Sequence, residues 1–187
     1  MQQKAKLRKK YFKIRQEKYF NINKKFFSPL LKLIRKKTKK KSIIIALYYP
    51  SNFELNVLKV LDLKYFLEQT ILLPGVKKNN LMKFYPWKKN DVLTVNKFGM
   101  LEPIKTKAKI PDVIMLPLLA FDKDKFRLGY GKGYYDRYLN KYIIQYKDII
   151  TVGVAFSFQK HNKLPINKND VKLDFILTEK GIYKWIY

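Results

Sequence analysis

The chain has 187 residues, 47% of them hydrophobic, with no cysteine and a formal net charge of +27 at pH 7. This length admits one sizeable core, the apolar content excludes a chain that stays disordered, and no run reaches the roughly 20 apolar residues that span a bilayer. The absence of cysteine excludes disulfides, thiolate metal ligands and a thiol nucleophile together.

The first segment, KAKLRKKYFKIR (residues 4–15), predicts a helix with Leu7, Tyr11 and Ile14 on one apolar stripe. At about 100° per residue, Lys4, Arg8 and Arg15 share one face as a cationic ridge. This segment lacks the apolar centre of a signal peptide, so the expected location is cytoplasmic. KKFFSPLLKLIRKKTKKK reads as a second basic helix, with Ser28 as its N-cap and Pro29 in its first turn. SIIIALYYP (42–50) is a short β-branched run suited to a buried strand. ELNVLKVLDLKYFLEQ has helical periodicity, and TILLPG returns to strand and turn. LMKFYPW and DVLTVNKFG read as shorter, more exposed strands of a hairpin or meander. DVIMLPLLAF (112–121) is a second buried run, followed by the polar turn DKDK and then RLGYGKGYYDR. YYDRYLNKYIIQY reads as a helix, IITVGVAFSF as a strand and LDFILTE as the last strand. Strands alternating with helices predict an α/β fold, a single domain over 1–187 with a mainly parallel central sheet flanked by helices.

Three of the seven glycines fall at 129, 131 and 133, between a buried strand and a helix. Alternating glycines let the backbone approach a ligand closely, and a helix N-terminus there faces an anion. Arg127 and Lys132 add positive charge. Asp136, one turn into the helix, sits beside such a cradle comfortably when a cation such as Mg2+ lies between them. The spacing fits neither the Walker A loop nor the dinucleotide pattern G-x-G-x-x-G. On spacing alone, a flexible turn with solvated charges is the alternative. The lone histidine, His161, lies in a polar loop and reads as a surface residue.

The run LPLLAFDKDKFRLGYGKGYYDRYL closely resembles the signature of 5-formyltetrahydrofolate cyclo-ligases, also called methenyltetrahydrofolate synthetases. KAKLRK, YYPSNFELNV, FGMLEP and GVAFSFQKHNKLPINKNDVKLDFILTE agree with the same family in order, so the resemblance covers nearly the whole chain. It implies a NagB/RpiA/CoA transferase-like fold. It also implies conversion of 5-formyltetrahydrofolate to 5,10-methenyltetrahydrofolate, using ATP and Mg2+ and releasing ADP and phosphate through a phosphorylated formyl intermediate. Carried over residue by residue, Lys4, Arg8, Arg127, Leu128, Gly129, Tyr130, Gly131, Lys132, Gly133, Tyr134 and Tyr135 are expected at ATP. Among these, Arg127, Lys132 and Tyr134 are the expected catalytic groups. Tyr49, Glu54, Phe98 and Tyr135 are expected at the folate, and Asp136 and Asp174 at the metal. Leu118 departs from the glycine usual in the family, and Asn169 from a common histidine.

The lysine-rich charge fits two origins. A field of this size attracts polyanions, and AT-rich codons enrich Lys, Ile, Asn, Tyr and Phe without any partner. A nucleic-acid-binding protein and a different ATP-using enzyme on the same scaffold are therefore the rival readings. The expected partners are ATP and formyl-folate in a monomer or homodimer, with only weak nonspecific nucleic-acid binding and no membrane.

Overall fold

The computed structural model describes residues 2–38, 40–77 and 81–183. Helix α1 (Gln2–Lys18) is followed by a 3-10 turn (Lys24–Phe27), α2 (Ser28–Lys37), strand β1 (Ile44–Ala46), a second 3-10 turn (Val57–Asp62) and α3 (Lys64–Leu67). Strands β2 (Thr70–Val76), β3 (Met82–Pro86), β4 (Leu93–Val95), β5 (Leu101–Pro103), β6 (Val113–Pro117), β7 (Ala120–Phe121) and β8 (Arg127–Leu128) come next. Helix α4 (Tyr134–Gln145), β9 (Ile150–Val154), a 3-10 turn (Ser157–Gln159), β10 (Phe175–Thr178) and β11 (Gly181–Tyr183) complete the order.

Seven strands form one sheet in the order β11-β10-β9-β6-β1-β2-β3. Contacts from β10 through β2 are all parallel, and only the edge strands β11 and β3 run antiparallel. The α/β fold with a mainly parallel sheet is thus as the alternation of elements predicts. Parallel strands are covered on both faces, and the side chains divide accordingly. Ile45, Val113, Met115 and Val152 pack with Leu30, Leu33 and Ile34 of α2. Ala46, Ile114, Leu116 and Ile176 pack with Tyr138 and Leu139 of α4. Each such buried Leu or Ile contributes about 1.5–3 kcal/mol of apolar transfer. Helix α1 lies over the β7–β8 hairpin, its Tyr11 packing with Leu119, Ala120, Leu128 and Leu164. Among the described residues no helix is long and apolar enough to cross a membrane.

Three local expectations change. Ser28 is not the cap: Asn23 caps the preceding 3-10 turn by accepting from Lys25 N, and that turn runs directly into α2. ELNVLKVLDLKYFLEQ is not one helix, because Leu63 is extended at φ −94°, ψ 121° and separates the 3-10 turn from the four-residue α3. The eclipsed i, i+3 positions of a 3-10 turn let Val57 and Val60 both enter the core. LMKFYPW is β3 of the main sheet, with Phe84 and Tyr85 buried, whereas DVLTVNKFG pairs as β4 with β5 in a separate hairpin. Leu118, the departure from the family's usual glycine, is buried; a Cβ at Gly153 would lie 2.9 Å from it, so that glycine makes its room.

Candidate functional site

Ligands of α/β proteins bind outside the carboxyl ends of the parallel strands, and the principal cleft lies there. It measures about 1130 Å³, and Tyr48 and Tyr49 beyond β1 and Pro117 at the end of β6 line it. Lys4, Arg8, Glu54, Phe98 and all of residues 127–136 line it too. The structure therefore gathers every expected site residue except Asp174.

Asp174 stands just before β10. Its Oδ2 accepts from Thr151 N at 2.8 Å and from Thr151 Oγ1 at 2.7 Å, tying the starts of β10 and β9 together. That is the amino end of the strands, so it cannot join Asp136 at a common cation. The acid of this segment that does line the cleft is Asp170, ion-paired with Lys4. His161 also stays off the cleft, its Nδ1 3.0 Å from the Tyr11 hydroxyl.

At one end of the cleft the glycine run forms a cationic loop. Gly131 (φ +99°) and Gly133 (φ +67°) adopt backbone that side chains resist, and Gly133 is the N-cap of α4. Its position leaves the first-turn amides of α4 facing the cleft, where the helix dipole favours an anion. Helix α1 closes over this loop: Arg8 Nε donates to the Gly129 carbonyl at 2.8 Å. A Cβ at Gly131 would lie 3.2 Å from the Arg8 guanidinium carbon. Arg127 pairs with Asp136 at 2.9 Å and lies over the Tyr135 ring at 5.5 Å. Lys132 Nζ lies 5.7 Å from the Phe98 ring, which meets Tyr134 edge-on at 6.1 Å. The exposed tip of the β4–β5 hairpin thus reaches the loop.

At the other end Glu54 is buried, and burial raises its carboxyl above the ordinary value; the Tyr130 hydroxyl, Ser51 and Arg15 oppose that rise. The Tyr130 hydroxyl donates to Glu54 Oε1 at 2.6 Å, and Ser51 N donates to Oε2 at 2.9 Å. Burial also pushes the Tyr48, Tyr130 and Tyr135 hydroxyls up, so all three are protonated at neutral pH. Arg15, assigned to the solvated ridge by periodicity, is instead buried behind Tyr130. Its spacing of seven from Arg8 was the signal for a shared direction, but not for burial.

Among the described residues, no three His, Cys, Asp or Glu side chains gather as metal ligands. Asp136 and Asp170 line the loop end, each beside a cation, Arg127 or Lys4. That donor set suits an ion taking most of its ligands from phosphate oxygens and water, the habit of Mg2+.

A cleft over the carboxyl edge of a parallel sheet, with a helix N-terminus opening into it, marks an α/β enzyme. The model of the 5-formyltetrahydrofolate cyclo-ligase family matches residues 1–179, and the chain belongs to that family, a family of ligases. A probable 5-formyltetrahydrofolate cyclo-ligase from Schizosaccharomyces pombe is 30% identical over 140 residues, covering 67% of this chain and 69% of its own. The solution structure of Aquifex aeolicus 5,10-methenyltetrahydrofolate synthetase superposes with a TM-score of 0.70 at 31% identity, covering 96% of this chain and 91% of that one. A 5,10-methenyltetrahydrofolate synthetase from Mycoplasma pneumoniae gives 0.67 at 29% identity, covering 94% and 98%.

Proposed function

We propose that the chain converts 5-formyltetrahydrofolate to 5,10-methenyltetrahydrofolate with ATP and Mg2+, releasing ADP and phosphate. The observation that carries this reading is a cleft with two unlike ends: a cationic glycine loop at one and buried Glu54 at the other, joined by Tyr130. Its volume of about 1130 Å³ exceeds the range of about 300–1,000 Å³ usual for one small ligand, which supports two substrates held together.

The formyl oxygen of an N-formyl amide is a poor leaving group. Its attack on the γ-phosphorus of ATP breaks the bond to ADP and leaves an iminium phosphate. The folate N10 then attacks the formyl carbon, N10 gives up its proton, and the C–O bond breaks to release phosphate. Little covalent work falls to the protein; alignment and charge screening do the catalysis. Lys4, Arg8, the amides of residues 128–133 and the start of α4 hold the triphosphate. Arg127 and Lys132 face the transferring group, and the Tyr134 hydroxyl orients the formyl oxygen. Glu54 accepts the pterin N–H groups, while Tyr49, Phe98 and Tyr135 wall the ring. Asp136 and Asp170 would hold Mg2+ against the phosphates, where it screens their charge.

The test follows product absorbance with purified protein, formyl-folate, ATP and Mg2+. Turnover that stops when either ATP or Mg2+ is withheld is expected. Folded protein that leaves fresh substrate unchanged, or converts it without ATP, refutes the reading.

A further inference from the structure

Arg15 is 1% exposed, although a leucine would satisfy the same helical position. Burying a guanidinium is costly unless its donors are taken up; here Nε has no partner, while the two terminal nitrogens reach three separate segments behind the cleft. Nη2 donates to the Asn52 carbonyl at 2.7 Å and to the Tyr130 hydroxyl at 2.7 Å, and Nη1 donates to the Leu118 carbonyl at 3.3 Å. The Tyr130 hydroxyl in turn donates a hydrogen bond to Glu54 Oε1, so guanidinium, phenol and carboxylate form one line. The turn carrying Glu54 is strained: Asn52 (φ +48°) and Phe53 (φ +61°) both lie in the left-handed region, which a bulky residue such as Phe53 rarely enters. Such backbone persists when its surroundings over-determine it, and Arg15 on the Asn52 carbonyl supplies one of those restraints.

We propose that Arg15 is the positioning residue of the folate end of the cleft, fixing Glu54 through the Tyr130 hydroxyl and the 51–54 turn through the Asn52 carbonyl. Because Tyr130 belongs to the glycine loop, the same line joins the shape of the nucleotide end to the carboxylate at the other. This rests on the reading of Glu54 as the folate-binding acid.

The experiment compares wild type, Arg15→Lys, Arg15→Met, Tyr130→Phe and the Arg15→Met/Tyr130→Phe double variant. Arg15→Met is expected to raise the formyl-folate KM about tenfold while the ATP KM stays within about threefold. Arg15→Lys falls between, since one ammonium cannot serve three diverging acceptors. The double variant is expected to lie within about twofold of Arg15→Met, because the two residues act in series. A pH profile supplies a readout that mere packing would not move. Glu54 is faced by Arg15 from α1, Tyr130 from the loop, Tyr48 beyond β1, Tyr135 from α4 and Ser51 of its own turn. Removing Arg15 alone shifts the acid-side loss of folate affinity to higher pH.

An equal rise in both KM values with a lowered melting temperature, fully additive variants, or an unmoved acid limb would each overturn the proposal. Should Arg15→Met fail to fold, Tyr130→Phe alone decides: an unchanged folate KM and acid limb refute the line. Wild type without formyl-folate turnover sinks the functional reading itself, whereas an active wild type with unaffected variants sinks only the role of Arg15.

Discussion

Glu54 combines burial with a charge that the proposed chemistry needs. Its carboxyl titrates above the ordinary value of 4.5 because desolvation outweighs the donors around it. On the proposed reading the ionised form accepts the pterin N–H groups, so folate kcat/KM should fall as pH drops through that raised value. The acid limb of a pH–rate profile is therefore expected above pH 4.5, and Glu54→Gln should abolish the limb while lowering kcat/KM about tenfold or more. A limb at or below 4.5 would place the titration elsewhere. Gly131 is limited in another way, by φ +99° and by Arg8 3.2 Å from where a Cβ would stand. Gly131→Val should raise the ATP KM about tenfold through strain and a displaced Arg8. Calorimetry showing unchanged ATP affinity would mean that the loop is not the cradle.

The β4–β5 hairpin is the least buried element near the cleft, with Val95 and Met100 exposed, yet it carries Phe98. It hangs on Glu102, buried at its base, which accepts from Val76 N and Asn96 Nδ2 and pairs with Lys105. Glu102→Ala leaves two donors without an acceptor and should cost about 2 kcal/mol in urea unfolding, with a raised folate KM as Phe98 loses its place. A raised KM without lost stability would mean that the hairpin is anchored by other contacts. The sequence showed such elements unevenly. Continuous apolar runs such as DVIMLPLLAF and the spacing of α1 and α4 mark strand and helix whatever their neighbours do. The paired two-residue strands β7 and β8 carry no period to read. Asp170 and Asp174 stand four apart in one polar segment, and only the register of β10 against β9 decides which reaches the cleft. Arg15 sits on the same ridge as Lys4 and Arg8. That ridge became an interior face only when the glycine loop and the 51–54 turn folded against it.

Across the whole molecule, the charge of +27 and the cleft make separable demands. Affinity for a random-sequence RNA should fall about tenfold or more between about 50 and 200 mM salt as condensed counterions cease to be released. Formyl-folate turnover at saturating substrates should change less than about threefold over the same range, since its contacts lie in a cleft rather than on the open surface. Tight RNA binding that survives high salt in a protein without turnover would favour the nucleic-acid reading. The ion pair between Lys4 and Asp170 joins positions 166 apart, and Arg8 meets Gly129 across 121. Long-range closures of this kind form late, after the intervening chain has collapsed. During synthesis from the N-terminus, Arg8 must wait for Gly129 and Lys4 for Asp170 before α1 is fully seated. On the proposed reading the nucleotide cradle is among the final features a growing chain acquires, and a ribosome-bound chain stopped short of Asp170 should capture no ATP.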